Sequence, residues 1–363
     1  MWDRVRNWLD VRIGINDLVE EEVRAYRVPK NINIFYTLGV VTIAGYLIQV
    51  ITGILLLIYY VPHPDHAFQS VQGIMNKVPF GWLFRQMHVM GSNLLIGVVF
   101  AHMLTVFLMG NYKRPRELTW IDGALLLFVS VAFGFSGYLL PWTQLSYWAT
   151  TVATAIPTAV PYMGDLVANV LRGGESVTGA TLSRFFAFHI SILPPIFLML
   201  LGLHLFLTKR IGISGTPFGL SAEEKRPWTE YHKKNHPDGY PYYPRFFQKD
   251  LFMVMVYLAV MFFLITFAPN LFFPGDATMP ADPYRTPASI RPEWYLLAPY
   301  QMLKIIPNKF LGVIIQVALF VLFLFWPFFD TEKEKNIMKR PFLRGMFLAA
   351  FALWVILMFW GRS

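Results

Sequence analysis

The chain has 363 residues, of which 55% are hydrophobic and only 15% are charged, and its mean hydropathy is +0.46. A soluble domain usually has roughly 25% charged residues, so this composition predicts an integral membrane protein and excludes disordered, collagen-like and coiled-coil chains. The absence of cysteine excludes disulfides, iron–sulfur clusters, zinc–thiolate sites and thioether-linked cofactors.

The N-terminal residues 1–33 mix apolar side chains with many charges, which is typical of an amphipathic helix lying on a membrane surface. A solvated tail is the alternative. The first six residues lack the basic head and short apolar core of a signal peptide, so we expect no cleaved leader. The apolar residues of the predicted surface helix are Trp2, Val5, Leu9, Ile13 and Leu18.

Seven apolar stretches have the length of about 20 residues that crosses a bilayer as a helix, and they predict an all-α integral membrane protein. In chain order these spans, A to G, are Ile34–Val61, Trp82–Met109, Trp120–Trp142, Phe185–Leu207, Leu251–Phe273, Phe310–Phe329 and Phe342–Trp360. Polar residues 211–250 form a predicted linker between a four-helix unit, residues 34–210, and a three-helix unit, residues 251–363. Two long loops, residues 142–184 and 274–309, favour a function on one face.

Lys and Arg set the predicted orientation. Segments 1–33, 110–119, 208–250 and 330–345, all on the N-terminal side of the membrane, hold 22 of the 31 basic residues. Cytoplasmic loops carry this excess, so we expect the N-terminus in the cytoplasm or on the equivalent negative side, and the C-terminus outside. This asymmetry explains the net charge of +9 without a nucleic-acid partner.

Four of the eight histidines lie inside apolar spans, where an ionisable side chain is costly and usually functional. His88 and His102 lie 14 residues apart in span B, and His189 and His204 lie 15 residues apart in span D. Four helical turns take about 14 residues, so each pair shares a helix face with its members about 21 Å apart. Spans B and D run in the same direction, which matches His88 with His189 near the outer surface and His102 with His204 near the inner one. Two imidazoles at each of two levels predict two b-type haems stacked through the membrane.

Buried histidines that hydrogen-bond to neighbouring hydroxyls are the alternative, and four at matched depths make it the weaker interpretation. The other four histidines lie in predicted loops. His232 and His236 have an i, i+4 spacing that suits a metal ion, but a polar loop with no further ligand favours solvated side chains.

Glycines repeat the histidine spacing on the two spans that complete the four-helix unit. Gly39 and Gly53 in span A are 14 residues apart, as are Gly123 and Gly137 in span C. A haem edge needs room where it approaches backbone, and glycine provides it. Helix–helix packing also favours small residues in membranes, but it does not predict this period.

Arg85 and Arg184 lie near the outer ends of spans B and D. Guanidinium groups there are suited to neutralise haem propionates. The alternative is that both side chains extend to the membrane interface to keep their charge in water.

Together with this pattern, several motifs resemble cytochrome b, the haem-carrying core of bc-type and b6f-type complexes. The resemblance runs over nearly the whole chain. Its motifs are Asn33-Ile34-Phe35-Tyr36, Pro115-Arg116-Glu117-Leu118-Thr119-Trp120, Gly137-Tyr138-Leu139-Leu140-Pro141-Trp142 with the following Gln144, Ser146, Tyr147 and Trp148, Arg184-Phe185-Phe186-Ala187-Phe188-His189, and Pro292-Glu293-Trp294-Tyr295, the PEWY signature of the quinol-oxidation site.

In its details the chain resembles cytochrome b6 joined to its three-helix subunit IV. The 15-residue histidine spacing, the run Gly212–Gly215 and seven spans instead of eight carry this likeness. Thr37 stands where that branch attaches an extra haem through cysteine, so a covalent haem is excluded. Thr105 stands where the family often has arginine, which puts propionate contacts at the inner haem in doubt.

The resemblance implies that quinol binds near the outer face, between the PEWY loop and the end of span C with its following loop. One electron passes to an iron–sulfur protein, and the other crosses through the outer haem (His88/His189) and the inner haem (His102/His204) to reduce quinone inside. Glu293 is expected to accept a proton from quinol, because burial raises a carboxyl pKa. A structural hydrogen bond within the loop is the alternative role.

The resemblance also implies the remaining site residues and the partners. Tyr295 is expected to assist catalysis by hydrogen bonding. The quinol pocket is expected to include Pro292, Trp294, Tyr147 and Gln144, and the inner quinone site is assigned only weakly, to Lys209 and Arg210. The implied partners are a Rieske iron–sulfur protein, a cytochrome c or similar acceptor, membrane lipid and a second copy of the chain in a homodimer.

Two other functions are compatible with part of the sequence. A proton-coupled transporter would explain buried histidines as a relay, but not the two matched levels, the glycine period or PEWY. The haem b subunit of another membrane dehydrogenase would explain the haems, but not the spans E to G.

Overall fold

The computed structural model describes residues 2–14, 16, 27–216, 239–272 and 277–362. The described chain is mostly helical, and its two strands, β1 (Arg27–Val28) and β2 (Tyr240–Pro241), form one short antiparallel pairing. The His232 and His236 pair and most of the predicted linker lie outside the described residues. The division into two units therefore stays a prediction.

The helices of the described residues are, in chain order, α1 (Trp2–Ile13), α2 (Leu38–Leu57), α3 (Ala67–Lys77), α4 (Gly81–Leu108), α5 (Glu117–Leu139), α6 (Gln144–Ala155), α7 (Gly164–Arg172), α8 (Gly179–Ala187), α9 (Leu193–Ile211), α10 (Phe247–Phe267), α11 (Leu297–Ile305), α12 (Lys309–Leu324), α13 (Trp326–Phe329) and α14 (Pro341–Arg362). A 3-10 turn, Ile34–Thr37, precedes α2, and a π-helix, Phe188–Ile192, joins α8 to α9.

Six helices in the described part of the chain are long and apolar enough to cross a membrane, which confirms the predicted all-α integral membrane fold. They correspond to spans A to E and G, and they are Ile34–Leu57, Gly81–Leu108, Glu117–Leu139, Gly179–Ile211, Tyr242–Phe267 and Pro341–Arg362. The N-terminal α1 buries no side chain, and Trp2 and Val11 are each 85% exposed. Contact of this helix with a membrane surface stays a prediction.

Span F is shorter than predicted. The helix α12 ends at Leu324 after 16 residues, and α13 restarts at Trp326. The reason is Pro327, which has no N–H to donate to the carbonyl of Phe323 four residues earlier. The indole Nε1 of Trp120 on α5 donates to that carbonyl instead, at 2.9 Å.

The middle of the bundle is a packed apolar layer to which four helices contribute. Tyr46 of α2 stacks on Phe197 of α9 with ring centroids 3.9 Å apart. Leu95 of α4 and Leu126 and Val129 of α5 complete the buried cluster. This layer separates the two histidine levels, so each level forms a site of its own. The helix α10 packs on the outside of α2 and α4, where the Tyr257 hydroxyl donates to the Gly91 carbonyl at 3.0 Å.

A buried charge network ties the loop after α4 to the loop before α14. The Asp330 side chain is only 4% exposed and accepts from the Tyr112 hydroxyl, from Lys113 Nζ at 2.8 Å and from Arg340 Nη2 at 2.5 Å. Burial by itself raises the pKa of Asp330, but the three donors outweigh it and hold that pKa well below its usual range.

We expect Asp330→Asn to lower the thermal stability of the detergent-solubilised protein. The change leaves Lys113 and Arg340 without their shared anion, and breaking a buried ion pair costs about 3–5 kcal/mol. The exposed pair of Lys339 and Glu334, 3.7 Å apart, supplies the control. Glu334→Gln should leave the melting temperature within the error of the measurement, and an equal loss in both variants would contradict the prediction.

Candidate cofactor and substrate sites

The outer histidine level brings two imidazoles to a separation that one metal ion could bridge. The imidazole centroids of His88 on α4 and His189 in the π-helix are 6.3 Å apart, and the ring planes are inclined at 75°. A metal–imidazole nitrogen bond is about 2.0 Å long and the nitrogen lies about 1.1 Å from its ring centre, so one metal ion between two imidazoles requires a separation of about 6 Å. The outer level therefore fits a haem iron.

Hydroxyl groups orient both outer imidazoles. Nδ1 of His88 is 2.9 Å from Thr52 Oγ1, and Nδ1 of His189 is 3.1 Å from Ser136 Oγ. Each hydroxyl already donates to a main-chain carbonyl, Thr52 to Ile48 and Ser136 to Phe133. The hydroxyl oxygens therefore accept from the imidazole Nδ1–H groups, which leaves the Nε2 lone pairs available as metal ligands.

The inner histidine level lines a cavity of about 280 Å³. His102 of α4 and His204 of α9 face this cavity together with Gly39 of α2 and Gly123 of α5. Here the partner of the imidazole is a carboxylate, since Nδ1 of His204 lies 3.1 Å from Oδ2 of Asp122. The residues present thus fit a group bound between two imidazoles at this level as well.

The four glycines of the 14-residue pattern lie opposite the four histidines, one to one. A Cβ atom built on Gly53 would lie 3.2 Å from the His88 ring, and one on Gly123 would lie 3.2 Å from the His204 ring. The corresponding distances are 3.5 Å from Gly39 to His102 and 2.7 Å from Gly137 to His189. Each glycine thus leaves space for an imidazole ring, and its role toward a haem edge stays a prediction.

We expect Gly137→Ala to reduce the haem content at the outer level. The new methyl group would lie 2.7 Å from Cε1 of His189, closer than carbon atoms approach, and the ring would have to move. Gly202→Ala on α9 is the matched control, since a Cβ there meets nothing within 4 Å. Haem extracted per polypeptide measures the difference, and equal haem contents in both variants would contradict the prediction.

The two arginines near the predicted outer ends of spans B and D differ in environment. Arg85 is part-buried, and its Nη1 lies 3.7 Å from the sulfur of Met75. Arg184 is exposed, and its Nη1 donates to the carbonyls of Asn169 and Val170 near the end of α7. Arg184 thus stabilises a helix C-terminus, and the role of either guanidinium toward a propionate stays a prediction.

The loop after α5 pairs with residues 279–285. The backbone N–H of Gln144 donates to the Met279 carbonyl at 2.9 Å, and Oε1 of Gln144 accepts from the Asp282 N–H at 2.7 Å. Trp148 Nε1 donates to the Asp282 carbonyl at 3.2 Å. Tyr147 lies beneath this pairing, and its hydroxyl donates to the Val177 carbonyl at 3.1 Å. Hydrogen bonds therefore hold the side chains of Gln144 and Tyr147 in place.

The PEWY segment, Pro292 to Tyr295, lies against α4 and α5. Trp294 Nε1 donates to Asn93 Oδ1 of α4 at 2.9 Å. Tyr295 is 5% exposed, and its ring lies against Gly134 of α5. The charge of Glu293 acts on the phenols of Tyr138 and Tyr295, and burial raises the pKa of Glu293 to about 7. The segment thus holds a buried carboxyl with a raised pKa near two phenols.

A second carboxylate lies at the wall of the inner cavity. Asp250 is 2% exposed, and the Tyr242 hydroxyl donates to its Oδ2 at 2.6 Å. Its Oδ1 makes no hydrogen bond within the described part of the chain. Lys209 and Arg210 are exposed and do not line this cavity, so their role in an inner quinone site stays a prediction. Sequence reasoning missed Asp250 because the predicted span E began one residue later.

Comparison with known proteins identifies the relatives of this chain. The family model described as cytochrome b/b6/petB matches residues 23–212, and the one described as cytochrome b(C-terminal)/b6/petD matches residues 280–363. Cytochrome b of Rhodospirillum rubrum is 36% identical over 95% of this chain and 82% of its own length. Cytochrome b/c1 of Bradyrhizobium diazoefficiens is 35% identical over 98% of this chain and 50% of its own length. A solved structure titled hyperthermophilic respiratory Complex III superposes with a TM-score of 0.90 at 38% identity, covering 98% of this chain and 91% of the other.

Proposed function

The chain belongs to the cytochrome b family, and on that premise we propose that it is the two-haem subunit of a complex III-type quinol:cytochrome c oxidoreductase. Proteins of this family bind b-type haems, and the absence of cysteine fits haem held without a covalent bond. The observation that carries the proposal is the pairing of four histidines at two levels of one helical bundle.

His88 and His189 would hold the outer haem, and His102 and His204 the inner one. The haems, when bound, supply one-electron transfer between the two faces of the membrane. The protein contributes the imidazole Nε2 ligands, and hydroxyl or carboxylate partners keep these imidazoles in one tautomer. The apolar layer around Tyr46 and Phe197 excludes water between the two levels.

Quinol would be oxidised at the outer side, beside the PEWY segment. Its oxidation releases two protons with two electrons, so a proton acceptor must lie within reach of the quinol hydroxyl. Glu293 is suited to this role because a carboxyl with a pKa of about 7 is partly ionised at neutral pH and accepts a proton readily. Tyr295 would position the substrate, and Gln144 and Tyr147 would line one side of the quinol pocket.

Quinone would be reduced at the inner side, at the part of the cavity wall that Asp250 forms and not between His102 and His204. Reduction consumes protons, and Asp250 is the buried carboxyl at that wall whose Oδ1 is available for a ligand. Tyr242 holds the other carboxylate oxygen and fixes the orientation of the group.

The proposed partners follow from the chemistry that this chain lacks. Without cysteine it supplies no iron–sulfur ligand set, so a Rieske iron–sulfur protein would take the first electron and pass it to a cytochrome c-type acceptor. The complex would be a homodimer in a bacterial inner membrane, with the N-terminus in the cytoplasm.

A redox-titrated visible spectrum of the purified complex tests the proposal. We expect two acid-extractable b-type haems per chain that titrate at separate potentials. A colourless protein, prepared from cells with haem available, would overturn the assignment and leave the four histidines to a proton relay. Two haems without quinol oxidation would instead favour a haem subunit of another membrane dehydrogenase.

A further inference from the structure

We propose that Asp122 is a positioning residue that lowers the reduction potential of the inner haem through His204. This inference rests on the proposed function, because it requires a haem held by His102 and His204. It goes beyond that function by assigning a carboxylate outside the ligand set to the control of one of the two redox centres.

The position of Asp122 inside the bundle is the first argument. Asp122 lies on α5, next to Gly123, and its residue exposure is 4%. Its Oδ2 is 3.1 Å from Nδ1 of His204. Among the described residues His204 is the sole ionisable partner within ion-pair distance of this carboxylate, and the Asp122 Oδ1 makes no hydrogen bond there. A carboxylate is costly to bury in an apolar bundle. The hydrogen bond to the proposed ligand His204 explains why one lies here.

The contrast between the two levels is the second argument. At the outer level the corresponding imidazole nitrogens meet neutral hydroxyls, those of Thr52 and Ser136. At the inner level the His204 nitrogen meets a carboxylate. The same ligand type therefore has two different hydrogen-bond acceptors in one chain.

The chemical consequence follows from the basicity of the ligand. A carboxylate that accepts the Nδ1–H bond draws that proton toward itself and makes Nε2 a stronger electron donor than a hydroxyl partner does. A stronger donor stabilises the ferric iron relative to the ferrous iron, because the oxidised metal carries one more positive charge. The negative charge of the carboxylate acts in the same direction. Both effects lower the reduction potential at the inner level alone.

Asp122→Asn in the assembled complex tests the proposal, because the amide keeps the size of the side chain and removes its charge. The substitution should raise the midpoint potential of the inner haem, measured by potentiometric titration, by at least 59 mV. That shift is a tenfold change in a one-electron equilibrium. The outer haem should keep its potential. Asp122→Glu, which retains the charge, should restore most of the wild-type value.

Two further variants make the test specific. Ser136→Ala removes a neutral partner of His189 and should leave the inner potential unchanged. Asp122→Ser gives His204 a hydroxyl partner of the type found at the outer level, so it should also raise the potential of the inner haem. This variant replaces Asp122→Asn in the test if the Asn variant binds haem poorly. An inner potential that stays at the wild-type value in both neutral variants would overturn the proposal, as would loss of the inner haem from both. A wild-type complex without an inner haem would overturn the proposed function itself.

Discussion

Replacing Glu293 by Gln is expected to lower quinol oxidation by the assembled complex by about 100-fold, the lower end of the range for a positioned acid–base group. The amide keeps the shape of the side chain but cannot take up a proton. Haem content should stay at two per chain, because the hydrogen-bond partners of the ligand histidines are Thr52, Ser136 and Asp122 and not Glu293. Stopped-flow reduction of the haems by quinol measures the loss.

The pH profile distinguishes a proton acceptor from a structural role of Glu293. Burial raises the pKa of Glu293 to about 7, and the acceptor must be deprotonated to function. The wild-type rate should therefore rise as the pH passes upward through about 7 and level off above it. The Gln variant should be slow at every pH, without an inflection near 7.

Glu175→Gln provides the matched control for this experiment, since Glu175 is an exposed carboxylate in the loop between α7 and α8. It should retain the wild-type rate and pH profile. A Glu293→Gln enzyme that keeps the inflection near pH 7 would assign that titration to another group and contradict the acceptor role.

The second large effect concerns the histidine ligands. His204→Leu is expected to remove the inner haem and leave the outer one, so the haem content should fall from two per chain to one. The physical reason is that Leu supplies no nitrogen, while the apolar layer at Tyr46 and Phe197 keeps the outer level intact. Haem extraction and the potentiometric titration together identify which haem is lost.

His63→Leu is the control for this loss, because the His63 side chain is 56% exposed in the first outer loop. It should keep both haems and both potentials. His189→Leu should give the complementary result, with the inner haem retained. Loss of both haems in each single variant would contradict the separation of the two levels.

Much of the fold could be predicted from the sequence because the bilayer imposes it. Apolar stretches of about 20 residues must become helices to satisfy their backbone groups, and six predicted spans have counterparts among the described helices. Span F was predicted as an unbroken helix and differs because Pro327 interrupts it. The register of the histidines and glycines was readable too, since helical geometry fixes which residues share a face.

The partners of those residues depended on the tertiary structure. Spacing placed Gly137 on a haem-facing helix, but only packing brings it against the ring of His189. Arg184 lies near the expected outer end of its span, yet its guanidinium bonds to the end of α7. Side-chain direction and contacts between distant segments have no local signal in the sequence.

Hydropathy, helical period and contiguous motifs were enough to predict the membrane class, the helical architecture, the four histidines and the PEWY segment. Three carboxylate contacts became visible only in the folded chain: Asp122 meets His204, Asp250 lines the inner cavity, and Asp330 joins two loops. Each of these carboxylates acquires its role from residues more than 80 positions away or from a cavity wall, and long-range packing alone determines such contacts.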